Sequence, residues 1–245
     1  MKKQTFLKYR SLFSVIIVLS VCFAVTSIIL SFRRDEIMSN EQAGEYTKEK
    51  ITVIIDAGHG GEDGGAVGIS GTLEKDINLA LSYKLNELFS LTDIDTVMTR
   101  YDDSLLYTDS QSNRKKYYDL RNRAKVALMY DNPVFISIHQ NKFPVSKYKG
   151  LQVYYSENNA KSKTIADLIQ SNVVLHIQND NNRKTKEAGG SIYLMNALEC
   201  PAVLIECGFL SNREDEKNLN DEEYQNRLAF VIFSSVMSCL TDNAV

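Results

Sequence analysis

The sequence predicts an α/β fold, a single domain in which a twisted, mostly parallel sheet of about six strands is flanked by helices. Short apolar runs rich in β-branched residues alternate with longer segments whose apolar residues recur every three or four positions. This alternation is typical of strands connected by crossover helices. Three of the runs end in, or just before, histidine or glutamate, and open α/β sheets bind ligands at the carboxyl ends of their strands.

The first half of the domain follows the order strand, helix, strand, helix. Ile51–Ile55 is β-branched and stops at Asp56-Ala-Gly, which predicts a strand and then a break. Ile94–Thr99 is the second predicted strand, and the polar stretch Tyr101–Asn113 is a predicted loop before a helix at Lys116–Met129. The first helix, with Thr72 as its N-cap, is predicted by apolar residues at helical spacing: Leu73, Ile77, Leu81, Leu85 and Leu88.

The second half carries four more strand-like runs and two more helix-like segments. The strands are predicted at Val134–His139, Leu151–Tyr155, Ile192–Met195 and Ala202–Glu206. Gln140–Gly150 is a predicted loop, and Tyr224–Leu240 is a closing helix. A helix at Lys161–Gln178 is predicted by the apolar residues Ile165, Leu168, Ile169 and Leu175.

Residues 1–34 differ from the rest, because they carry six basic residues and no acidic ones. Within them, residues 12–32 form an uncharged run of 21 residues, and about 20 apolar residues span a bilayer core. No small-x-small cleavage site follows, so we predict a retained signal anchor, that is, an N-terminal transmembrane helix, with a cleaved signal peptide as the alternative. More basic residues precede the run than follow it, which predicts that residues 51–241 lie outside the cytoplasm after a tether at 35–50.

Charge narrows the class of partner. Beyond residue 34 the chain has 22 Lys and Arg against 31 Asp and Glu, a formal net charge of −9. Domains that bind nucleic acid carry basic patches that neutralise phosphates, so no nucleic-acid partner is expected.

The length of the region after the tether predicts a single domain. Roughly 190 residues suffice for one well-buried core and are too few for two ordinary domains.

The cysteines predict no disulfide framework. Besides Cys22 in the uncharged run, the chain has Cys200, Cys207 and Cys239. A strand between Cys200 and Cys207 would hold their Cα atoms roughly 20 Å apart, whereas a bridge needs about 7 Å or less. A nucleophilic role for Cys207 is disfavoured, since no histidine lies near it in sequence.

The candidate metal ligands are His59, Glu74 and His139. His59 lies in a glycine-rich loop after the first strand, Glu74 in the first turn of the first helix, and His139 at a strand end. Hydrolytic zinc sites use three such protein ligands and leave a position for water, so the set predicts Zn²⁺. Each residue alone has a simpler explanation: a helix-dipole partner for the glutamate, a core residue for either histidine. His176, on a predicted helix, is expected to be structural.

Glu206 is the candidate catalytic residue. It ends the apolar run Ala202–Ile205, and a buried carboxylate needs either a partner or a task. A salt bridge at the strand end is the alternative. A carboxylate in reach of an activated water moves its proton for roughly 10²–10⁴-fold in rate. The His-Glu-x-x-His motif of zinc proteases is absent, so the base would come from a separate strand.

Six segments match one known pattern in sequence order. They are Ile55–Gly61, Asp63–Gly68, Glu74–Asp76, Met98–Arg100, Ser137–Asn141 and Glu206–Asn212. This pattern resembles the zinc-dependent N-acetylmuramoyl-L-alanine amidases, which cut stem peptides off bacterial peptidoglycan. The resemblance implies His59, Glu74 and His139 as zinc ligands and Glu206 as the catalytic glutamate. Ala57 stands where proline is frequent, a departure that removes no ligand.

Asn113–Arg123 and Lys147–Gly150, together with an anchor and a bare catalytic domain, are similar to the sporulation amidases of endospore formers. This narrower resemblance implies action in the spore cortex, where stem-peptide removal precedes formation of muramic-δ-lactam, the mark read in germination. No familiar wall-binding repeat is visible, so we expect the anchor, a protein partner at the forespore membrane, or both to position the enzyme in the intermembrane space. Candidate contacts are Tyr101–Asn113 and Arg213–Glu223, with solvated surface as the alternative.

Two other functions remain open from the sequence. One is a zinc peptidase that cuts within the stem peptide, because motifs do not define the substrate cleft. The other is a non-catalytic cell-wall regulator on the same fold, against which the presence of Glu206 beside all three ligands speaks.

Overall fold

Six strands form one mixed sheet in the computed structural model, which describes residues 50–241. In chain order they are β1 (Ile51–Ala57), β2 (Asp95–Met98), β3 (Asn132–Asn141), β4 (Gln152–Tyr155), β5 (Lys186–Glu187) and β6 (Ala202–Phe209). Their order across the sheet is β2-β1-β3-β6-β4-β5. β2, β1, β3 and β6 run parallel, whereas β4 is antiparallel to β6, and β5 runs parallel to β4. The predicted α/β fold is confirmed, with this one reversed pair.

Helices cover both faces of the sheet. Within the described residues the α-helices are α1 (Glu74–Phe89), α2 (Lys115–Ala127), α3 (Ala160–His176), α4 (Tyr193–Ala197), α5 (Arg213–Leu219) and α6 (Glu222–Thr241). Apolar residues of α1, α3 and α6 pack with the sheet in the larger core cluster, which includes Leu81, Ile169 and Ile232. α2 and α4 cover the other face over a smaller cluster. The described part of the chain forms one compact unit, as predicted.

The alternation of side chains along β3 and β6 decides which residues reach the thinly covered face. Ile138 belongs to the larger cluster, whereas Phe135 and Leu204 belong to the smaller one. Because successive strand residues point to opposite faces, His139 shares a face with Phe135, and Glu206 shares it with Leu204. His139 and Glu206 are also direct partners in the β3–β6 register. The two residues therefore lie side by side at the carboxyl ends of central strands.

The predicted strand at Ile192–Met195 is wrong, because Tyr193–Ala197 forms the short helix α4. A run of four apolar residues does not distinguish a strand from a buried helical turn. Here Leu194 and Met195 are buried against the smaller cluster, and the sheet edge is formed instead by β5, which the sequence analysis missed. Two exposed charged residues, Lys186 and Glu187, gave no apolar signal for that strand.

Thr72 is not the N-cap of α1. Leu73 occupies that position without a side-chain cap, and the amide of Glu74 donates to the carbonyl of Ala66 instead. The loop backbone therefore satisfies a helix-terminal donor, and Thr72 is left to accept a hydrogen bond from Asn220.

Two polar segments contain more structure than the sequence predicted. The loop Tyr101–Asn113 runs into a 3₁₀ helix at Asp109–Arg114. Arg213–Glu223, predicted as solvated surface or a contact site, includes α5, whose Asp215 and Glu216 are buried. Asp215 accepts hydrogen bonds from the amides of Gly150 and Phe209, which explains a buried charge there.

Other predictions have mixed outcomes. The predicted membrane span at 12–32 lies outside the described residues, among which no helix is long and apolar enough to cross a bilayer. Cys200 and Cys207 form no disulfide, as predicted. Burial raises the pKa of the Cys207 thiol, which disfavours a thiolate. His176 ends α3 at the surface, far in the chain from any proposed ligand.

Candidate metal centre and active site

The three predicted ligands converge at one end of the sheet. One potential ligand atom from each of His59, Glu74 and His139 lies within 4.8 Å of the others. Oε1 of Glu74 is 3.2 Å from Nε2 of His59 and 2.9 Å from Nδ1 of His139. The loop after β1, the first turn of α1 and the end of β3 supply one residue each. Residues separated by up to 80 positions thus form one cluster of metal-binding atoms.

Two glycines make room for this cluster. A Cβ atom on Gly58 would collide with the ring of His139, and one on Gly65 would lie 2.8 Å from the ring of His59. Gly65 also has a φ of +67°, and His59 itself has a φ of +62°. Left-handed backbone is uncommon for a residue with a side chain, and such positions concentrate at functional sites.

Glu74 is held from several directions. Its Oε2 accepts the amide hydrogen of Ala66 at 2.7 Å, and its Oε1 accepts that of Gln140 at 3.0 Å. Burial works against its charged form, yet hydrogen bonds with His139 and His59 hold the pKa of Glu74 well below its usual range. The carboxylate is therefore ionised and fixed in place before any ion binds.

A buried ion pair supports the loop that carries His59. Nη1 of Arg123 lies 2.7 Å from Oδ1 of Asp56, and both side chains are at most 1% exposed. Arg123 also donates to the carbonyl oxygens of Ala57 and His59, at 2.7 Å each. Burial opposes ionisation of Asp56, but Arg123 and hydrogen bonds from Ser137 and Thr99 lower its pKa below the ordinary value. Arg123 therefore fixes the backbone of the first ligand.

Arg100 clamps the same loop from its other side. Its guanidinium donates to the carbonyl oxygens of Ala57, Gly58 and Lys75, at 2.8, 3.1 and 2.8 Å. Asn78 of α1 adds a further donor to the carbonyl of Gly58 at 3.0 Å. Side chains thus satisfy three successive carbonyl oxygens, from Ala57 to His59, and the loop is rigid although it is rich in glycine.

Glu206 lies next to the cluster, but its carboxyl group is not held by hydrogen bonds as that of Glu74 is. It is the register partner of His139 on the central strands, and its Oε2 is buried without a hydrogen-bond partner among the described residues. Burial raises the pKa of Glu206 to about 7, opposed by His139 and assisted by the negative charge of Glu74. A carboxyl group with a free oxygen and a pKa near neutrality is suited to carrying a proton.

A cleft of about 390 Å³ opens at the carboxyl ends of β3 and β6. Its walls are largely aromatic. The lining residues are Asn141, Phe143, Tyr148, Tyr154, Arg183 and Phe209.

Residues 53–238 match the family model described as N-acetylmuramoyl-L-alanine amidase. The chain belongs to this family. It is therefore an enzyme, an amidase that acts on peptidoglycan, and the assignment favours this interpretation over the peptidase and the non-catalytic regulator.

Relatives sharpen the assignment. The germination-specific N-acetylmuramoyl-L-alanine amidase of Bacillus subtilis is 34% identical over 192 residues, covering 78% of this chain and 80% of the relative. The CwlD amidase from Clostridioides difficile, whose structure was solved in complex with the GerS lipoprotein, is 39% identical with a TM-score of 0.74. That match covers 78% of this chain and 98% of the other. The catalytic domain of CwlV from Bacillus (Paenibacillus) polymyxa is 33% identical, with a TM-score of 0.64 and the same two coverages.

The sequence predicted the proposed metal ligands and Glu206, but not the residues that support them. Asp56, Arg100 and Arg123 fell within matched segments, but no role was assigned to them. For Asp56 and Arg100 the available signal was a charged residue directly after a strand predicted from the sequence. No local sequence pattern pointed to Arg183, because it reaches the cleft only through the packing of the loop 177–185.

Proposed function

We propose that this amidase is zinc-dependent and hydrolyses the amide bond between the lactyl group of N-acetylmuramic acid and the L-alanine of the stem peptide. His59, Glu74 and His139 are the proposed zinc ligands, and Glu206 is the proposed catalytic residue. The observation that carries the proposal is the placement of three ligand atoms within 4.8 Å of one another beside a carboxyl oxygen of Glu206 that has no hydrogen-bond partner among the described residues.

The donor set fits zinc. Two imidazole nitrogens and one carboxylate match the His2Glu sets of hydrolytic zinc sites, which keep a fourth position open. Glu74 is already ionised, so no proton has to be removed from it on binding. A bound zinc ion lowers the pKa of water to about 7 and polarises the scissile carbonyl group.

The chain's own residues supply the proton transfers. Oε2 of Glu206 is free to accept a proton from the attacking water and to return it to the nitrogen of the departing L-alanine. A pKa of about 7 suits both steps, because the group is neither a very weak base nor a very strong acid at neutral pH. Arg100 and Arg123 keep the backbone of residues 57–59 fixed while this happens.

Digestion of purified peptidoglycan tests the proposal. The full-length chain, purified in detergent and loaded with Zn²⁺, should release stem peptides that begin with L-alanine and leave muramic acid with a free lactyl carboxyl group, as read by mass spectrometry. Chelation should stop the release, and added Zn²⁺ should restore it. New termini within the stem peptide would identify a peptidase instead.

We further propose that the enzyme acts in the spore cortex, on the route to muramic-δ-lactam, from a membrane anchor at residues 12–32 and with a protein partner at the forespore membrane. Support comes from the germination-specific relative and from the neighbour whose solved complex contains a lipoprotein. Turnover of the purified chain, with and without membrane-extracted proteins, tests the partner. Full zinc occupancy and rapid turnover without those proteins would contradict it.

A further inference from the structure

Arg183 places a positive charge at the edge of the cleft. Within residues 50–241 its guanidinium makes a single hydrogen bond, from Nη2 to Oε1 of Gln152. Its Nε is buried and has no hydrogen-bond partner. Burying a donor of a charged group without a partner is costly, so this group is expected to have a ligand in the working enzyme.

Strand register places Arg183 close to the reaction centre. Gln152 of β4 is the register partner of Glu206 in β6, and neighbouring strands lie about 4.7–4.9 Å apart. His139, Glu206 and Gln152 therefore form a row across three adjacent strands on one face of the sheet. Arg183 contacts this row through its hydrogen bond to Gln152 and lies over Phe209 of β6.

The loop that carries Arg183 is fixed. Nδ2 of Asn181 donates to the carbonyl of Leu151 at 2.8 Å, and its Oδ1 accepts the amide hydrogen of Arg183 at 2.9 Å. Gly150, with a φ of +87°, lets Asn181 pack against the start of β4. The guanidinium itself lies over the ring of Phe209, with Cζ 4.8 Å from the ring centroid. Its orientation is therefore set before a ligand arrives.

The chemistry of the group selects the ligand. A planar guanidinium with free donors matches a carboxylate, which can accept two parallel hydrogen bonds. The cleft walls are aromatic, and an ion pair in partly apolar surroundings is stronger than one in water. The glycan half of the proposed substrate carries no charge once the lactyl group is amidated, whereas stem peptides contain free carboxylates. The positive charge therefore points to the peptide half.

We infer that Arg183 binds a free carboxylate of the stem peptide, about two residues beyond the scissile amide, and so makes the enzyme selective for acidic over amidated peptides. Two extended residues of the substrate span about 7 Å. This length is comparable with one strand spacing plus a side chain, which separates Glu206 from the guanidinium of Arg183. This inference rests on the proposed function. It makes Arg183 a specificity-determining residue rather than a proton carrier.

Arg183 could instead act only on Glu206, whose carboxyl group feels its charge. The two roles differ in kinetics. An anchor for one carboxylate is felt only by substrates that have that carboxylate, and its loss raises KM. A residue that acts through Glu206 affects kcat and the pH profile for every substrate.

Two soluble muramyl peptides distinguish these roles. Both start with L-alanine followed by a γ-linked glutamyl residue, and they differ only in a free α-carboxylate or an α-carboxamide on that residue. The full-length chain should prefer the carboxylate by at least tenfold in kcat/KM. Arg183→Gln should raise KM for the acid at least tenfold, leave kcat within about threefold, and remove the preference; Arg183→Lys should restore part of it.

Lys184→Gln is the matched control, since it removes one positive charge from an exposed neighbour in the same loop and should leave the preference unchanged. Calorimetry adds a readout without turnover: the released acidic peptide should bind the wild-type chain and bind Arg183→Gln at least tenfold more weakly. Equal losses on both substrates would overturn the inference while leaving the amidase intact. If the wild-type chain cleaves neither substrate, the proposed function fails with it.

Discussion

The metal cluster and the cleft beyond it differ in how their polar atoms are satisfied. Around His59, Glu74 and His139, hydrogen bonds fix the glutamate, and two buried arginines hold the loop backbone. On the side of the cleft, Oε2 of Glu206 and Nε of Arg183 are buried without a partner among the described residues, whereas the one such atom of the three ligands, Nδ1 of His59, lies 3.0 Å from Oδ2 of Asp63. The protein itself holds the first region in place, whereas the second has polar atoms that the proposed substrate would contact.

Loss of a metal ligand should have the largest effect, because it removes a direct contact to the proposed zinc ion. His139→Ala removes one of three proposed protein ligands and should abolish both zinc binding and turnover. Metal content by atomic spectroscopy and peptide release from peptidoglycan measure the two effects. His176→Ala, at the exposed end of α3, is the control and should keep both. Full activity in metal-free protein would rule out the zinc site.

Glu206→Gln should break the cleft side while sparing the metal side. An amide cannot accept the proton of the water, so kcat should fall by about 10²–10⁴-fold. Zinc content and the unfolding midpoint should stay unchanged, since the shape of the side chain is preserved. Glu187→Gln, an exposed glutamate of β5, is the matched control. Loss of zinc in Glu206→Gln would mean that Glu206 is a ligand.

Asp56→Asn tests whether the buried pair stabilises the metal side. The variant leaves the buried Arg123 with one carboxylate partner, Asp119, at 2.8 Å, so the free energy of unfolding should fall by about 1–3 kcal/mol. Urea unfolding followed by circular dichroism measures this change. Asp167→Asn breaks an exposed pair with Lys163 and should cost about 1 kcal/mol or less. A similar small cost for both variants would contradict the assigned role.

The same pair predicts a pH dependence. The pKa of Asp56 is lowered in the folded state, so its ionised form contributes stability above its ordinary pKa of about 3.9. That contribution should be lost as the pH falls through the lowered value. Asp56→Asn should accordingly show a shallower decline of the unfolding free energy below about pH 4 than the wild-type chain.

Gly58→Ala should give the smallest of these effects. The added Cβ would push the ring of His139 out of position without forcing an unusual backbone angle. Displaced ligands typically cost about 10–100-fold in metal affinity, which a competition titration with a chelating dye measures. Gly189→Ala, where an added Cβ meets nothing within 4 Å, should leave affinity unchanged. Unaltered zinc affinity in Gly58→Ala would show that the ring can shift freely.

Much of the fold and the centre of the site could be predicted from the sequence, because both have local signatures. Buried central strands such as β1 and β3 are continuous apolar runs, and a histidine that ends one is conspicuous. β5, two exposed charged residues, and α4, a four-residue apolar run, carry no periodicity that separates strand from helix. The position of Arg183 could not be predicted for another reason. It depends on a loop that Asn181 holds against β4.

The reversal of β4 has a consequence for how this enzyme can diversify. Because β4 runs against β6, its first residue rather than its last lies beside Glu206, and the segments 142–150 and 177–185 both end at the cleft. Neither segment contains a proposed metal ligand or Glu206. Insertions or exchanges in these two loops would therefore alter which peptides bind, while the proposed catalytic residues stay in place. The reversed strand pair thus allows substrate selectivity to change independently of the hydrolytic chemistry.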